Sequence, residues 1–220
     1  MRASKRTYLR SENSEDAVTW NVFRTLRQID PAAWLEPLFR QAFPFRNPET
    51  ADGLAVYVWR TVDPPPALTI ELDEGASEID VILESPTWVW FIEAKYQSDI
   101  SPRTTNRPTR DQVLRNIDVG SYYSGVRRFY FSLLIASESR SRLGVETVAR
   151  YANLEVAREL LRGHRPDGLS NLQAISKLTW SNLGGVLEGA AATAIREDER
   201  GYATRAVEWL RTKGLAAVAG

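Results

Sequence analysis

Two short stretches hold the residues whose types and spacing could do chemistry: Glu78-Ile79-Asp80-Val81 and Phe91-Ile92-Glu93-Ala94-Lys95. Each sets charged side chains inside a run that otherwise reads as a buried strand. Alternation sends Val89, Phe91, Glu93 and Lys95 to one face and Trp88, Trp90, Ile92 and Ala94 to the other, so Glu93 and Lys95 emerge side by side. The turn at Ser85-Pro86 sets how the two strands pair. A loop of even length places Leu83 opposite Trp88, Asp80 opposite Phe91 and Glu78 opposite Glu93; an odd loop or a bulge breaks that parity. In the even register Asp80, Glu78, Glu93 and Lys95 share a face, with Asp80 and Glu93 as diagonal neighbours about 7 to 8 Å apart at Cα. Two half-buried carboxylates repel each other unless a proton or cation intervenes. With no imidazole or thiolate beside them they suit a hard, oxygen-seeking ion such as Mg2+ or Mn2+. An adjacent lysine would orient the attacking water or stabilise charge developing on a phosphate. This is equipment for phosphodiester hydrolysis.

Composition removes most competing chemistries. The chain of 220 residues has no Cys, and His164 is its one His, so disulfides, thiolate nucleophiles, Cys-based zinc sites and two-His metal sites are excluded. With 28 Lys+Arg against 28 Asp+Glu and 43% hydrophobic residues, it has the proportions of an ordinary globular protein, and its length suits a single domain over 1–220. A net charge of zero means that a polyanion must be met by a local patch rather than by bulk charge. The densest basic stretch, Arg103, Arg107, Arg110 and Arg115, is the candidate for touching phosphates, with a solvated loop as its competing reading. Lysine is rare, occurring at Lys5, Lys95, Lys177 and Lys213, which adds interest to Lys95 inside its apolar run. The segment MRASKRTYLRSENSEDA has no apolar stretch to act as a secretory signal, and no window approaches the roughly 18 apolar residues of a membrane span. The expectation is a cytoplasmic protein with no membrane partner.

The elements that must position these residues follow from periodicity. Residues 14–29 read as a helix capped by Asn13 or Ser14, with Val18, Val22, Leu26 and Ile29 as its buried stripe and Phe23 beside it. Asp30-Pro31 starts a second short helix through Leu35, Leu38 and Phe39, where Pro37 offers a kink. Residues 54–60, 67–72, 78–84 and 87–95 read as consecutive strands of an antiparallel meander. Residues 98–110 are irregular, Thr109 caps a helix carrying Val113, Leu114 and Ile117, and 128–136 is another strand. From about residue 144 the spacing predicts only helices, with Gly163 and Gly214 at helix ends, Thr179 as an N-cap and His164 in an inter-helix turn. Trp88 and Trp90 read as core. The expected fold class is α/β, a mixed sheet flanked by helices on both faces, with a core over 14–136 and a helical C-terminal elaboration over 144–220.

With Asp80 followed by Glu93-Ala94-Lys95 across a hairpin, the sequence resembles the PD-(D/E)XK, or restriction-endonuclease-like, nuclease superfamily. Ile79 stands where the motif often has Pro. Glu15 in the first turn of the N-terminal helix and Gln112 in RDQVLRN, on a helix that also presents Arg115 and Asn116, are similar to auxiliary residues of such proteins. The resemblance spans about residues 14–136 and implies a four-stranded mixed sheet with a Mg2+-dependent site. It would make Asp80, Glu93 and the Ala94 carbonyl the metal ligands and Lys95 the catalytic lysine, with Glu15 and Gln112 assisting. The substrate it implies is nucleic acid, DNA in the first instance, and it allows a homodimer built on the apolar C-terminal helices. The alternative is a nuclease-like fold that binds nucleic acid or protein without cleaving.

Overall fold

The computed structural model describes residues 14–68, 74–104 and 110–216. It is an α/β fold: a five-stranded mixed sheet in the order β1-β2-β3-β4-β5 with helices packed on both faces. The strands are β1 (Ala55–Val62), β2 (Ser77–Glu84), β3 (Trp88–Ala94), β4 (Arg128–Ile135) and β5 (Leu172–Thr179). β1, β2 and β3 form an antiparallel meander from three of the four strands expected of it, and β4 and β5 then add in parallel through helical crossovers.

One face carries α1 (Glu15–Leu26), α2 (Leu35–Ala42), α6 (Trp180–Thr193) and α7 (Glu197–Thr212); the other carries α3 (Gln112–Ser124), α4 (Arg142–Tyr151) and α5 (Leu154–Leu161). β3 lies between the two layers, and all seven of its residues are buried. A strand covered on both sides reads as a continuous apolar run, which is why Trp88–Ala94 contains a single charge, Glu93.

The helix caps explain where the site-bearing elements begin. The Ser14 hydroxyl accepts from Ala17 N at 3.0 Å, so Glu15 is the first helical residue of α1, and Val18, Val22, Phe23 and Leu26 pack into the core. At α3 the cap is Asp111, which accepts from Leu114 N at 2.8 Å; the expected cap, Thr109, lies outside the described residues. Gln112 thereby becomes the first residue of α3. Pro37 falls in the first turn of α2, where a missing N–H costs nothing, so that helix shows no break between Leu35 and Ala42.

Three expectations need correction. Residues 67 and 68 belong to a short helical turn rather than a strand, and 69–72 lie outside the described residues. β5 occupies residues read as purely helical territory, so the sheet has five strands rather than four. The turn holding His164 lies between α5 and β5, not between two helices. Gly163 and Gly214 lie at helix ends as expected: Gly163 follows the Arg162 cap without a left-handed backbone, and Gly214 (φ 68°) closes α7 in a Schellman motif, Leu215 N to Leu210 O and Gly214 N to Arg211 O both at 2.9 Å.

The C-terminal half is not set apart from the first. Trp180, Leu183 and Leu187 of α6 and Val207 and Leu210 of α7 lie in the same apolar cluster as Val18 and Val22 of α1. Fully burying a side chain of this kind contributes about 1.5 to 3 kcal/mol. Among the described residues no helix is long and apolar enough to cross a membrane.

Candidate functional site

The hairpin between β2 and β3 settles the pairing. Glu84 faces Val89, Leu83 faces Trp90, Ile82 faces Phe91 and Val81 faces Ile92. This is two residues away from the expected register, because Ser85 N bonds back to Trp88 O and leaves Pro86 and Thr87 at the tip. A shift of two preserves the parity that mattered. The paired ladder ends at Val81 and Ile92, one step short of Asp80 and Glu93, and beyond it the Asp80 side chain, rather than the β2 backbone, meets the Ala94 N–H. Glu78 pairs with Thr61 of β1 and not with Glu93.

Glu93 is 3% exposed, and its carboxylate gathers three donors. Oε1 accepts from Lys95 Nζ at 2.8 Å and from Gln112 Nε2 at 2.5 Å, while Oε2 accepts from Asn116 Nδ2 at 2.8 Å. Gln112 and Asn116 are one turn apart on α3, so both amides reach the same carboxylate. Gln112 is itself anchored, its Oε1 accepting from Ser101 N at 3.2 Å.

Asp80 reaches the same strand end from β2: its Oδ2 accepts from Ala94 N at 3.0 Å. Glu15 arrives from the opposite layer. Its Oε2 accepts from Tyr96 N at 2.9 Å and Ser98 Oγ at 2.8 Å, and its Oε1 lies 3.6 Å from Lys95 Nζ. The sequence expectation therefore brings Glu15, Asp80, Glu93, Lys95 and Gln112 to one place, at the carboxyl end of β3.

Lys95 is 7% exposed. Burial alone would push its ammonium toward deprotonation, but the charges of Glu93, Glu15 and Asp80 and the bond to Glu93 outweigh that and hold its pKa above the ordinary lysine value. Three carboxylates thus surround one ammonium. Lys95 is also fixed through its backbone, where N donates to Leu134 O at 2.7 Å and O accepts from Trp180 Nε1 at 3.1 Å.

The donor set suits a divalent ion of the hard class. Asp80, Glu93 and Glu15 offer carboxylate oxygens, and Glu93 Oε2 takes one described donor where a carboxylate oxygen accommodates two. Among the described residues no three His, Cys, Asp or Glu side chains are grouped so as to hold a metal by themselves. Mg2+ is commonly held by one or two carboxylates with water and substrate phosphate completing its shell, so Asp80, Glu93 and the Ala94 carbonyl are compatible with it.

The basic stretch divides. Arg103 is exposed and Arg107 lies outside the described residues. Arg110 is buried between Glu74 and Asp118, bonded to both, which removes it from any surface that meets phosphate. Arg115 donates to Gly75 O at 3.0 Å and lies 3.4 Å from Glu74, so it braces the approach to β2. The densest run of arginines is thus in part an internal brace. His164 joins that brace, with Nε2 2.7 Å from Asp118 Oδ2. Trp88 and Trp90 are buried core residues as expected, their indoles donating to Thr50 O and Ser132 Oγ.

Sequence reasoning missed Tyr96, Ser98, Ser101 and Trp180 as supports of the site. Three of them act through backbone groups or a small hydroxyl, which leave no pattern in sequence. Trp180 is 85 residues from the carbonyl that it holds.

No family model and no curated protein matches the chain. Among solved structures it is similar to the crystal structure of a protein of unknown function, at 16% identity over 74% of this chain and 90% of the other, with a TM-score of 0.23. At that score the likeness carries no inference.

Proposed function

We propose that the chain is a divalent-metal-dependent phosphodiester hydrolase of the PD-(D/E)XK kind acting on DNA. The observation that carries this reading is the imbalance of charge at the end of β3, where Glu15, Asp80 and Glu93 surround the single ammonium of Lys95. A divalent cation between Asp80 and Glu93 removes that imbalance. Asp80, Glu93 and the Ala94 carbonyl would hold it, and it would supply Lewis-acid polarisation of the phosphate and its attacking water.

The residues of the chain account for the rest. Lys95, kept as an ammonium, donates to a phosphoryl oxygen and stabilises the charge that builds on it; it does not serve as the base. Gln112 and Asn116 fix the Glu93 carboxylate so that it does not reorganise during the reaction. Among the described residues of the original stretch, Arg103 is exposed and available to a phosphate backbone.

A second reading, a nuclease-like fold that binds nucleic acid or protein without cleaving, is favoured by one observation: Glu93 is already engaged by Lys95, Gln112 and Asn116. Calorimetric titration with Mn2+ separates the two. The hydrolase reading expects binding by the wild type that vanishes in the folded Asp80→Asn/Glu93→Gln variant, together with Mg2+-dependent cleavage of duplex DNA. Cleavage of single-stranded RNA but not DNA would move the substrate class. No metal binding, with and without DNA present, would leave the binding-module reading.

A further inference from the structure

We propose that Trp59 is a positioning residue for the two carboxylates that flank Lys95, acting through its stack on Trp20. Val58 pairs with Val81 and Arg60 with Ile79, which sets Trp59 abreast of Asp80. Trp59 has a φ of 57°, a left-handed conformation that a bulky residue in mid-strand avoids. The packing shows what this conformation does. Val58 and Val81 face the core beneath α1, while Val62 and Ile79 face the core beneath α3. Regular alternation would keep Val58 with Val62, and Val81 with Ile79, on one side. Both strands therefore exchange faces at the level of Trp59 and Asp80.

The exchange turns Trp59 toward α1. It is 6% exposed and lies 5.3 Å from the ring of Trp20, with the two planes 11° apart. The Arg24 guanidinium adds a contact 5.8 Å from the Trp20 ring centroid. A strained backbone persists only where its surroundings over-determine it, and an aromatic stack on a helix is a contact of that kind. Trp20 and Glu15 belong to the same helix. One aromatic contact thus joins the strand pair bearing Asp80 to the helix bearing Glu15, and sets how far apart the two carboxylates stand on either side of Lys95. The consequence for hydrolysis rests on the reading proposed above, whereas the positioning itself is independent of metal.

Two amides report the placement directly: Ala94 N–H is held by Asp80 Oδ2 and Tyr96 N–H by Glu15 Oε2. The experiment is native-state hydrogen exchange on the full chain, comparing wild type with Trp59→Leu and Trp20→Leu. Both variants should exchange Ala94 and Tyr96 about tenfold faster or more, while core amides such as Leu133 and Leu187 keep their wild-type rates. Trp20→Phe, which retains a stacking ring, should return both amides toward wild type. Unchanged Ala94 and Tyr96, or acceleration only in step with Leu133 and Leu187, overturns the proposal, because a merely structural role loosens the whole fold alike. If Trp59→Leu does not fold, Trp20→Leu carries the test, since Trp20 is partly exposed and its loss leaves the β1 sequence untouched. Failure of the wild type to bind Mn2+ with and without DNA present would end the hydrolase reading and leave the amide result standing.

Discussion

The indole Nε1 of Trp180 donates to the carbonyl oxygen of Lys95 across 3.1 Å, tying the first residue of α6 to the last charged residue of the E-x-K segment. Trp180 is wholly buried, and the preceding Thr179 caps α6 in a reciprocal capping box with Asn182. A second tie runs from Tyr96 OH to Lys213 O at 3.4 Å. The C-terminal helices, which carry no motif of their own, are therefore the wall against which the β3 end is held.

Trp180→Phe keeps most of the buried ring but leaves the Lys95 carbonyl without its indole donor. The expected cost is about 1 to 2 kcal/mol in chemical unfolding, with a larger proportional loss of the proposed DNA cleavage than of stability. Trp180→Ala should cost about 3 to 5 kcal/mol through the cavity it opens. A Trp180→Phe variant with full activity would show that the tie does not serve the site.

Substitution at the two carboxylates should separate stability from function. Glu93→Ala leaves the Lys95 ammonium without its nearest partner and the Gln112 and Asn116 amides without their acceptor, so a loss of about 3 kcal/mol is expected. Asp80→Asn retains an oxygen to accept from Ala94 N and should cost about 1 kcal/mol or less. Both should abolish the proposed Mg2+-dependent cleavage. Equal unfolding midpoints for the two variants would contradict the asymmetry of burial between them.

Gly120 lets α3 approach the sheet closely enough for Gln112 and Asn116 to reach Glu93. A Cβ there would meet Phe129 Cζ at 2.2 Å and Phe91 Cδ2 at 2.9 Å, atoms of two packed rings in a T-shaped contact. The helix-propensity gain of about 1 kcal/mol on Gly120→Ala should be outweighed by overpacking of about 1 to 3 kcal/mol or more, giving a net loss in thermal unfolding. A stabilised variant would mean that α3 has room to shift.

The buried brace around Asp118 gives a pH dependence with a definite sign. Burial pushes the Asp118 carboxyl up, but the His164 hydrogen bond, the Arg110 charge and the Arg165 hydrogen bond outweigh it and hold the group below the ordinary Asp range. Because the unfolded chain takes up the proton first, the stabilisation is complete above the unfolded value of about 3.9 and is lost as pH falls through the lower folded value. Asp118→Asn should therefore be less stable than wild type by about 3 kcal/mol at neutral pH, with the gap narrowing only below about pH 4. Urea midpoints at pH 7, 5 and 3 for the two proteins read this directly. A gap that closes already between pH 7 and 5 would assign the effect to another group.

The local pattern of residues determined a good deal: the stripe of α1, the antiparallel run of β1 to β3, and the parity of the β2–β3 hairpin up to Val81 and Ile92. These are short-range properties, since strand alternation and helical spacing are written in neighbours along the chain, and parity survives a register shift of two. The tertiary structure alone decided the rest. β5 reads poorly because its buried positions, Leu172, Ile175 and Leu178, recur every third residue rather than every second, and its identity as a strand comes from parallel pairing with β4. Arg110, which the arginine stretch offers as a phosphate contact, is instead buried by Asp118 of α3 and by Glu74, 36 residues away. The supports of the site from Trp180 and Asn116, and the exchange of faces at Trp59, depend on which elements the sheet order brings into contact. That order is set by long-range packing, on which residues adjacent in the chain carry no information.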